Sequence, residues 1–348
     1  MTTIRELLTS SRAQDDEPRL APGSRLRVLH RLGPDADPDQ VVAIARAQRH
    51  LGLNTAVDTA AAPATARRRR TPPVDVVHVH GARDDAGLQS LARVVVLGPR
   101  SSRLPPLDAN TQVVAETRQH AAALVRAGAA ATSVHVVLPP VIPAVERLTG
   151  GRPLRSSRFV VGLLAARQPA PWVEAANGVL LPVLARRPRA ELWLAGVAGQ
   201  PATTSWIPAR QAPAVRRIPT LDPVTISQLD VVVCLDQSVV LPAPLLAAMQ
   251  LGRPIVASRI GAAREVLDNG VSALLVNPGD TTALASSVSR LMARPLVRST
   301  LGGAAQTAAL QHSPRRVADR LAQLYERLVA ADATHPAGTE QHSRPGSA

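Results

Sequence analysis

The chain has 348 residues, of which 45% are hydrophobic and 19% are charged, so it can build the two cores that this length favours. Its 40 basic and 26 acidic side chains give a net charge of +14, while the apolar content excludes general disorder. No apolar run approaches the roughly 18 residues that a membrane span needs, and residues 1–20 lack an apolar signal core, so we expect neither membrane spanning nor secretion.

Strands and helices alternate in the first half of the chain. Residues 1–22 and 333–348 lack apolar periodicity and are predicted to be flexible tails. The predicted strands are Leu26–His30, Val74–Val79, Arg93–Leu97, Gln112–Ala115 and Val134–Leu138, and the predicted helices are Asp39–Leu51 and Thr117–Ala127. This alternation is typical of parallel βαβ units and predicts a first Rossmann-like domain over residues 23–145.

A second series follows a stretch rich in Pro, Gly and Arg, in which residues 146–157 are the predicted linker. Its predicted strands are Arg158–Leu163, Glu191–Ala195, Asp230–Cys234, Pro254–Ala257 and Ala273–Val276. Two helical apolar stripes come next, Leu284-Val288-Leu291 and Val317-Leu321-Leu324-Leu328, and both are predicted to pack in a core. The series predicts a second Rossmann-like domain over residues 158–332, closed by a helix.

The basic residues are all arginine, so a lysine nucleophile, Schiff base or P-loop lysine is excluded. The positive charge indicates nucleic acid, an anionic membrane surface or a phosphate-bearing substrate as partner. Nucleic acid is the weakest of these and is not predicted, because base-stacking aromatic residues are almost missing. The run Arg67–Arg70 lies in a polar loop, which favours a solvated loop over a contact with an acidic membrane.

Common catalytic signatures are missing from the sequence, including G-x-S-x-G, G-x-G-x-x-G, Walker and H-E-x-x-H patterns. His78 and His80 share one face of a predicted strand and could offer two imidazoles to a metal, but a third ligand is not evident. We therefore predict neither a metal nor a cofactor. The single cysteine, Cys234, excludes an internal disulfide and is predicted to be a buried, inert thiol, which fits a reducing cytoplasm.

The most informative stretch is Leu229–Asp280. Its recognisable blocks are Ala248-Met249, Gly252–Ser258, Gly261–Val266, Asp268–Val271 and Leu274–Asp280. In this order and spacing they resemble the nucleotide-sugar-binding domain of family 4 glycosyltransferases, and weaker similarity extends over roughly residues 25 to 330. The resemblance implies an α/β fold of the GT-B type, with two Rossmann-like doubly wound domains facing across a cleft and a shortened first domain.

The resemblance also implies a nucleotide-sugar site, whose expected residues are Arg167, Gly196, Asp236, Gly261 and Glu265. Arg167 would be the cation, since its planar fork suits phosphate. Gly261 would allow close approach of the main chain. Glu265 would retain the family's carboxylate, although a carboxylate at a helix start is also an ordinary stabilising feature. For Asp236, the pattern fits an ordinary solvated loop aspartate at least as well as a ligand-binding role. No catalytic residue is assigned.

Several groups expected from the resemblance are absent. The family's two glutamates, eight positions apart, fall at Val239 and Ala247, whose side chains cannot bind sugar hydroxyls. The phosphate-binding lysine falls within residues 170–172, the first-domain histidine falls at Leu97, and an expected Asn-Gly turn reads Pro139-Pro140. These departures put donor recognition in doubt.

Two functions follow from this pattern. The first is a divergent, metal-independent, retaining transferase that moves a hexose from a nucleoside diphosphate sugar to an envelope glycan, glycolipid or natural-product acceptor. The alternative is a catalytically inert GT-B scaffold that binds or stabilises a partner glycosyltransferase, which the missing glutamates favour. The expected location is the cytoplasm, either free or peripheral at the inner membrane face.

Overall fold

The computed structural model describes residues 26–33, 36–58, 74–81, 92–98, 111–141, 158–164, 176–187, 189–195, 214–218 and 221–334. The first of its two six-stranded sheets consists of β1 (Arg27–Leu32), β2 (Asn54–Asp58), β3 (Val74–His80), β4 (Ala92–Gly98), β5 (Thr111–Ala115) and β6 (Val134–Val136). Its strand order is β2-β1-β3-β4-β5-β6, so the order reverses between β1 and β3.

The second sheet consists of β7 (Phe159–Leu164), β8 (Ala190–Ala195), β9 (Val215–Ile218), β10 (Val231–Cys234), β11 (Ile255–Ser258) and β12 (Leu274–Val276). Its order is β12-β11-β10-β7-β8-β9, and its registered pairings are parallel. Counted from β7, this is the 3-2-1-4-5-6 order of dinucleotide-binding Rossmann sheets. The predicted α/β class with two doubly wound sheets is confirmed.

The helices are α1 (Pro38–His50), α2 (Arg118–Arg126), α3 (Leu181–Leu184), α4 (Pro223–Ser227), α5 (Ala243–Gln250), α6 (Thr281–Ala293), α7 (Pro295–Ala309) and α8 (Pro314–Thr334). A π-helical turn covers Ala176–Leu180, and 3₁₀ turns cover Ala131–Ser133, Ala262–Glu265 and Leu310–His312. Polar caps fix several helix starts: Asp37 accepts hydrogen bonds from two amides of the first turn of α1, and Thr117 accepts one at α2. Within the described part of the chain, no helix combines the length and apolar content needed to cross a membrane.

The second sheet is apolar on both faces, as a sheet covered on two sides must be. Val161 and Leu163 of β7 pack in one buried cluster with Leu284, Val288 and Leu291 of α6. Val160 and Leu164 of β7 point the other way, into a second cluster that includes Met249 of α5 and Ala305 of α7. The predicted stripe on α6 is therefore core.

The chain divides into two compact units, with boundaries that differ from the predicted ones at residues 145 and 158. Unit 1 comprises residues 1–100, 104–114 and 318–348, and unit 2 comprises residues 101–103 and 115–317. Most of helix α8 therefore groups with the first sheet, and Tyr325 of α8 bonds to His78 of β3 within that unit. Leu321 is only 2% exposed, so the stripe on this helix is also packed, as predicted.

Candidate functional site

The carboxyl ends of the strands in the second unit carry the described candidate residues. Parallel α/β sheets bind ligands at this edge, where the strand order reverses, which here is between β7 and β10. Asp236 follows β10 by two residues and Gly261 follows β11 by three. Arg167 and Gly196 lie outside the described residues, as does the segment 170–172 where the family lysine would fall.

Asp236 and Gly261 lie in two turns that are bonded to each other. The Asp236 carboxylate accepts a 2.8 Å hydrogen bond from the Ser238 amide, and the Ser238 carbonyl accepts one of 2.8 Å from Ala262. Gly261 has φ 83° and ψ −172°, a conformation open essentially only to glycine. A Cβ at this position would lie 2.9 Å from the Gln237 carbonyl carbon. The close main-chain approach that Gly261 permits is thus made to the neighbouring turn.

Glu265 ends the 3₁₀ turn that follows Gly261 and holds the start of helix α2. Its two carboxylate oxygens accept bonds of 2.7 Å and 2.8 Å from the amides of Arg118 and Gln119. A negative charge at a helix N-terminus is stabilising, and bonds to an ionised acceptor are strong. Each oxygen keeps a further lone pair, so each can accept one more hydrogen bond.

Val239 and Ala247 stand where the family glutamates would be. Both are half-buried, and the Val239 carbonyl accepts a 2.7 Å bond from the Thr117 hydroxyl. Glu116 brings a carboxylate to the same loop and accepts a 3.3 Å bond from the Leu241 amide. The sequence reasoning missed Glu116, although its position directly after a buried parallel strand is a usable signal.

A pocket with a cavity volume of about 110 Å³ lies beside these turns, between the ends of three strands and the start of α6. Its lining residues are Leu235, Gln237, Ser258, Val276, Asn277, Pro278, Gly279, Asp280, Thr281 and Leu284. Asp280 is the N-cap of α6 and accepts a 2.8 Å bond from the Ala283 amide. Apart from Asp280, the described lining residues are uncharged.

Two other residues from the recognised stretch have structural roles. Cys234 is 1% exposed, and burial raises the pKa of its thiol to about 12, which matches the predicted inert thiol. The Arg253 guanidinium donates a 3.0 Å hydrogen bond to the Leu229 carbonyl, and burial lowers its pKa. Arg253 therefore ties the turn after α5 to the start of β10.

Residues 176–294 match the family model described as glycosyl transferases group 1. This segment contains every described candidate residue of the site. The resemblance predicted from Leu229–Asp280 is confirmed. Over 86 residues the chain is 38% identical to the D-inositol 3-phosphate glycosyltransferase of Saccharomonospora viridis, and the match covers 25% of this chain and 20% of that protein.

Solved glycosyltransferase structures match over most of the chain. One from Rickettsia africae is 11% identical, covers 88% of this chain and 99% of its own, and has a TM-score of 0.66. AviGT4, a glycosyltransferase of avilamycin A biosynthesis, is 20% identical with coverages of 88% and 98% and a TM-score of 0.61. HepE of Anabaena, solved with UDP and glucose, is 16% identical with coverages of 87% and 100% and a TM-score of 0.59. The fold is GT-B.

Proposed function

We propose that this chain is a retaining transferase that moves a hexose from a nucleoside diphosphate sugar to an envelope glycan, glycolipid or natural-product acceptor. The observation that carries the proposal is a coincidence of sequence and geometry. The segment that matches group 1 glycosyl transferases, residues 176–294, contains the pocket and the turns at the carboxyl ends of β10 and β11. A fold alone does not imply a reaction. Here the sequence match to glycosyl transferases covers the edge of the sheet where ligands bind, and this supports sugar transfer.

The proposed site divides the donor between charged and uncharged groups. The diphosphate needs a cation and main-chain amides, and Arg167, three residues beyond β7, is proposed as that cation, with Gly196 and Gly261 providing close main-chain turns. The pocket beside α6 is proposed for an uncharged part of the donor, with Asp236 and Glu265 as hydroxyl acceptors near it. Electrostatic stabilisation of the leaving diphosphate would then supply the catalysis.

The inert scaffold is the second candidate, and specific contacts favour it. Val239 and Ala247 lack the carboxylates that would bind donor hydroxyls. The main-chain approach at Gly261 is already made to Gln237, and both oxygens of Glu265 already accept bonds from α2. In this role the chain would bind and stabilise a partner glycosyltransferase without transferring sugar itself.

Donor binding by the purified full chain separates the two functions. UDP-hexoses are tested first, because HepE was solved with UDP and glucose, and GDP-hexoses follow. Calorimetric titration gives affinity, and release of UDP or GDP gives turnover. Binding with turnover on an added acceptor supports the transferase. Neither binding nor turnover with any of these donors contradicts it and favours the scaffold.

Restoring the two carboxylates tests whether the site has only lost donor recognition. The V239E/A247E double variant is expected to gain measurable nucleotide-sugar affinity, because each new carboxylate can accept charge-assisted hydroxyl bonds. The matched control is V271E/A293E, which adds two carboxylates at exposed positions of the same unit. Unfolding curves exclude destabilisation by a half-buried charge. A folded double variant that binds no better than the control favours the scaffold.

Arg167→Ala tests the proposed cation. Loss of a charged hydrogen-bond partner is expected to weaken nucleotide affinity by about 2 kcal/mol, or roughly 30-fold. Arg315→Ala, which removes an exposed arginine in the first turn of α8, is the charge-matched control. Equal dissociation constants for wild type and Arg167→Ala would remove Arg167 from the site.

A further inference from the structure

Three histidines of the first unit lie on one face of its sheet. His30 of β1 pairs in register with His78 of β3, and His80 lies two residues further along the same strand. Residues in register on neighbouring strands, and residues two apart on one strand, face the same side of a sheet. The sequence shows only the pair on β3, and β1 supplies the third imidazole.

The cluster lies at the place where this sheet would bind a ligand. The strand order reverses between β1 and β3, and the three histidines occupy the carboxyl-terminal halves of these two strands. His30 and His78 are buried, at 0% and 3% exposure, and His80 is half-buried at the rim. An ion could therefore enter from the side of His80.

The ring nitrogens are spaced for a common ligand. One nitrogen from each of the three rings lies within 4.8 Å of the other two. His30 Nδ1 and His80 Nε2 are 3.0 Å apart. Two imidazole nitrogens on one tetrahedral zinc ion, each about 2.0–2.1 Å from the metal, are separated by roughly 3.3–3.4 Å. A small movement of the half-buried His80 ring would therefore widen the observed separation of 3.0 Å to the separation expected for two zinc ligands.

Two neighbours orient the imidazoles through their other ring nitrogens. His30 Nε2 is 2.7 Å from Oε1 of Gln48, on α1. In the tautomer that donates from Nε2 to this amide oxygen, the lone pair is on Nδ1, which faces His80. His78 Nδ1 is 2.5 Å from the Tyr325 hydroxyl, which leaves its Nε2 for a ligand. Histidine ligands of metals are held in this way by an outer partner.

The chemistry of the three ligands selects the class of cation. Neutral imidazole is the form that binds metals, and nitrogen ligands favour zinc and its neighbours over magnesium or calcium. Three histidines leave a fourth tetrahedral position open for water or another ligand.

We propose that His30, His78 and His80 form a binding site for one divalent transition metal ion of the zinc class, with Gln48 and Tyr325 as its outer partners. The residues of this site belong to the first unit and are not part of the matched segment 176–294, so the proposal does not depend on the transferase function. Its rival is a permanent hydrogen-bonded cluster of neutral imidazoles with no affinity for metal.

Zinc titration of the full chain tests this proposal. After treatment with a chelator, calorimetry with Zn²⁺ is expected to show one ion per chain with a micromolar or lower dissociation constant, and Mg²⁺ is expected not to compete. Co²⁺ in the same site should give the intense visible absorption of tetrahedral coordination. Absence of binding at micromolar Zn²⁺ to the folded chain would overturn the proposal.

Variants assign the ligands. His80→Ala, at the half-buried rim, is expected to weaken zinc affinity at least about 100-fold and to abolish the Co²⁺ spectrum. His80→Gln, which keeps a polar side chain of similar size, provides the same test if the alanine variant is unstable. His50→Ala removes an exposed imidazole at the end of α1 and should bind zinc as the wild type does. Unchanged affinity in a folded His80 variant would overturn the assignment.

Discussion

Single residues at the edge of the second sheet owe their behaviour to burial and main-chain geometry. Cys234 ends β10 under the turn that holds Asp236, and Gly261 allows the next turn to touch it. Glu116 and Glu265 use their carboxylates on main-chain amides of neighbouring segments. Gly261 and Glu265 are predicted from sequence to be binding residues, yet their described contacts are made to neighbouring segments of the protein.

The Cys234 thiol is expected to resist alkylation in the folded chain. The thiolate is the reactive form, and with a pKa of about 12 only about one thiol in ten thousand is ionised at pH 8. Labelling with iodoacetamide should therefore be at least about 100-fold slower in buffer than in guanidinium chloride, where the thiol is exposed. Mass spectrometry of timed samples measures both rates, and similar rates would show that the thiol is accessible.

Gly261→Ala is expected to be more destabilising than Gly270→Ala. Both glycines have positive φ, 83° and 78°, so both alanine variants are strained by about 1–2 kcal/mol. Only at Gly261 does a new Cβ also meet main chain at 2.9 Å, whereas at Gly270 nothing lies within 4 Å. We expect a total of about 3 kcal/mol at Gly261, from backbone strain and overpacking together. Guanidinium unfolding measures both free energies, and equal values would contradict the packed turn.

Helix α2 is held at its start by one local contact and by one contact from a segment that is distant in sequence. Thr117 caps the helix locally, with a 2.9 Å bond from the His120 amide to its hydroxyl. Glu265 caps it from a distance of more than a hundred residues in sequence. The short helix thus depends on the loop after β11, and the packing of that loop depends on Gly261.

Glu265→Ala is expected to lower the free energy of unfolding by about 1–2 kcal/mol, because two amides of the first turn lose a charged acceptor and the helix loses a favourable charge at its N-terminus. Glu326→Ala, at an exposed position on α8, is the control and should change stability by less than about 0.5 kcal/mol. Urea unfolding followed by circular dichroism gives both values. An effect of Glu265→Ala no larger than the control would rule out the capping role.

Local signals predicted most elements well. The buried strands of both sheets, such as β7 and β10, are short continuous apolar runs, and they were predicted to within one or two residues. Strands β2 and β9 were missed, because Asn54–Asp58 and Val215–Ile218 mix polar and apolar residues and become strands only by pairing with a neighbour. The glycine turn at Gly261 could be predicted from sequence, whereas the partners of Glu265 could not.

The net charge of the whole chain is strongly positive. A charge of +14 carried entirely by arginine favours contact with anionic surfaces, and each arginine near such a membrane contributes about 1 kcal/mol. Salt weakens this attraction, since the screening length falls from about 10 Å at 0.1 M to about 3 Å at 1 M.

The chain is expected to sediment with vesicles that contain anionic lipid at low ionic strength, to be released by salt, and to ignore zwitterionic vesicles. If Arg67–Arg70 is the contact, replacing the run by serine should remove about 4 kcal/mol of attraction and lower partitioning by about 1,000-fold. The control replaces four exposed arginines of α8, which removes the same charge: Arg315, Arg316, Arg320 and Arg327. Equal losses in the two variants would show that only overall charge matters, and no binding at all would remove the membrane as a partner.

Local sequence patterns predict the α/β class, the two doubly wound sheets and the glycosyltransferase-like segment, because buried strands and glycine turns can be recognised without knowing their partners. Which side chains come into contact follows from the three-dimensional fold. It placed Glu265 on helix α2, moved most of helix α8 into the first unit, and brought His30 beside His78 and His80. Such pairings depend on strand order and register, which join residues that are distant in the chain and carry no local signal.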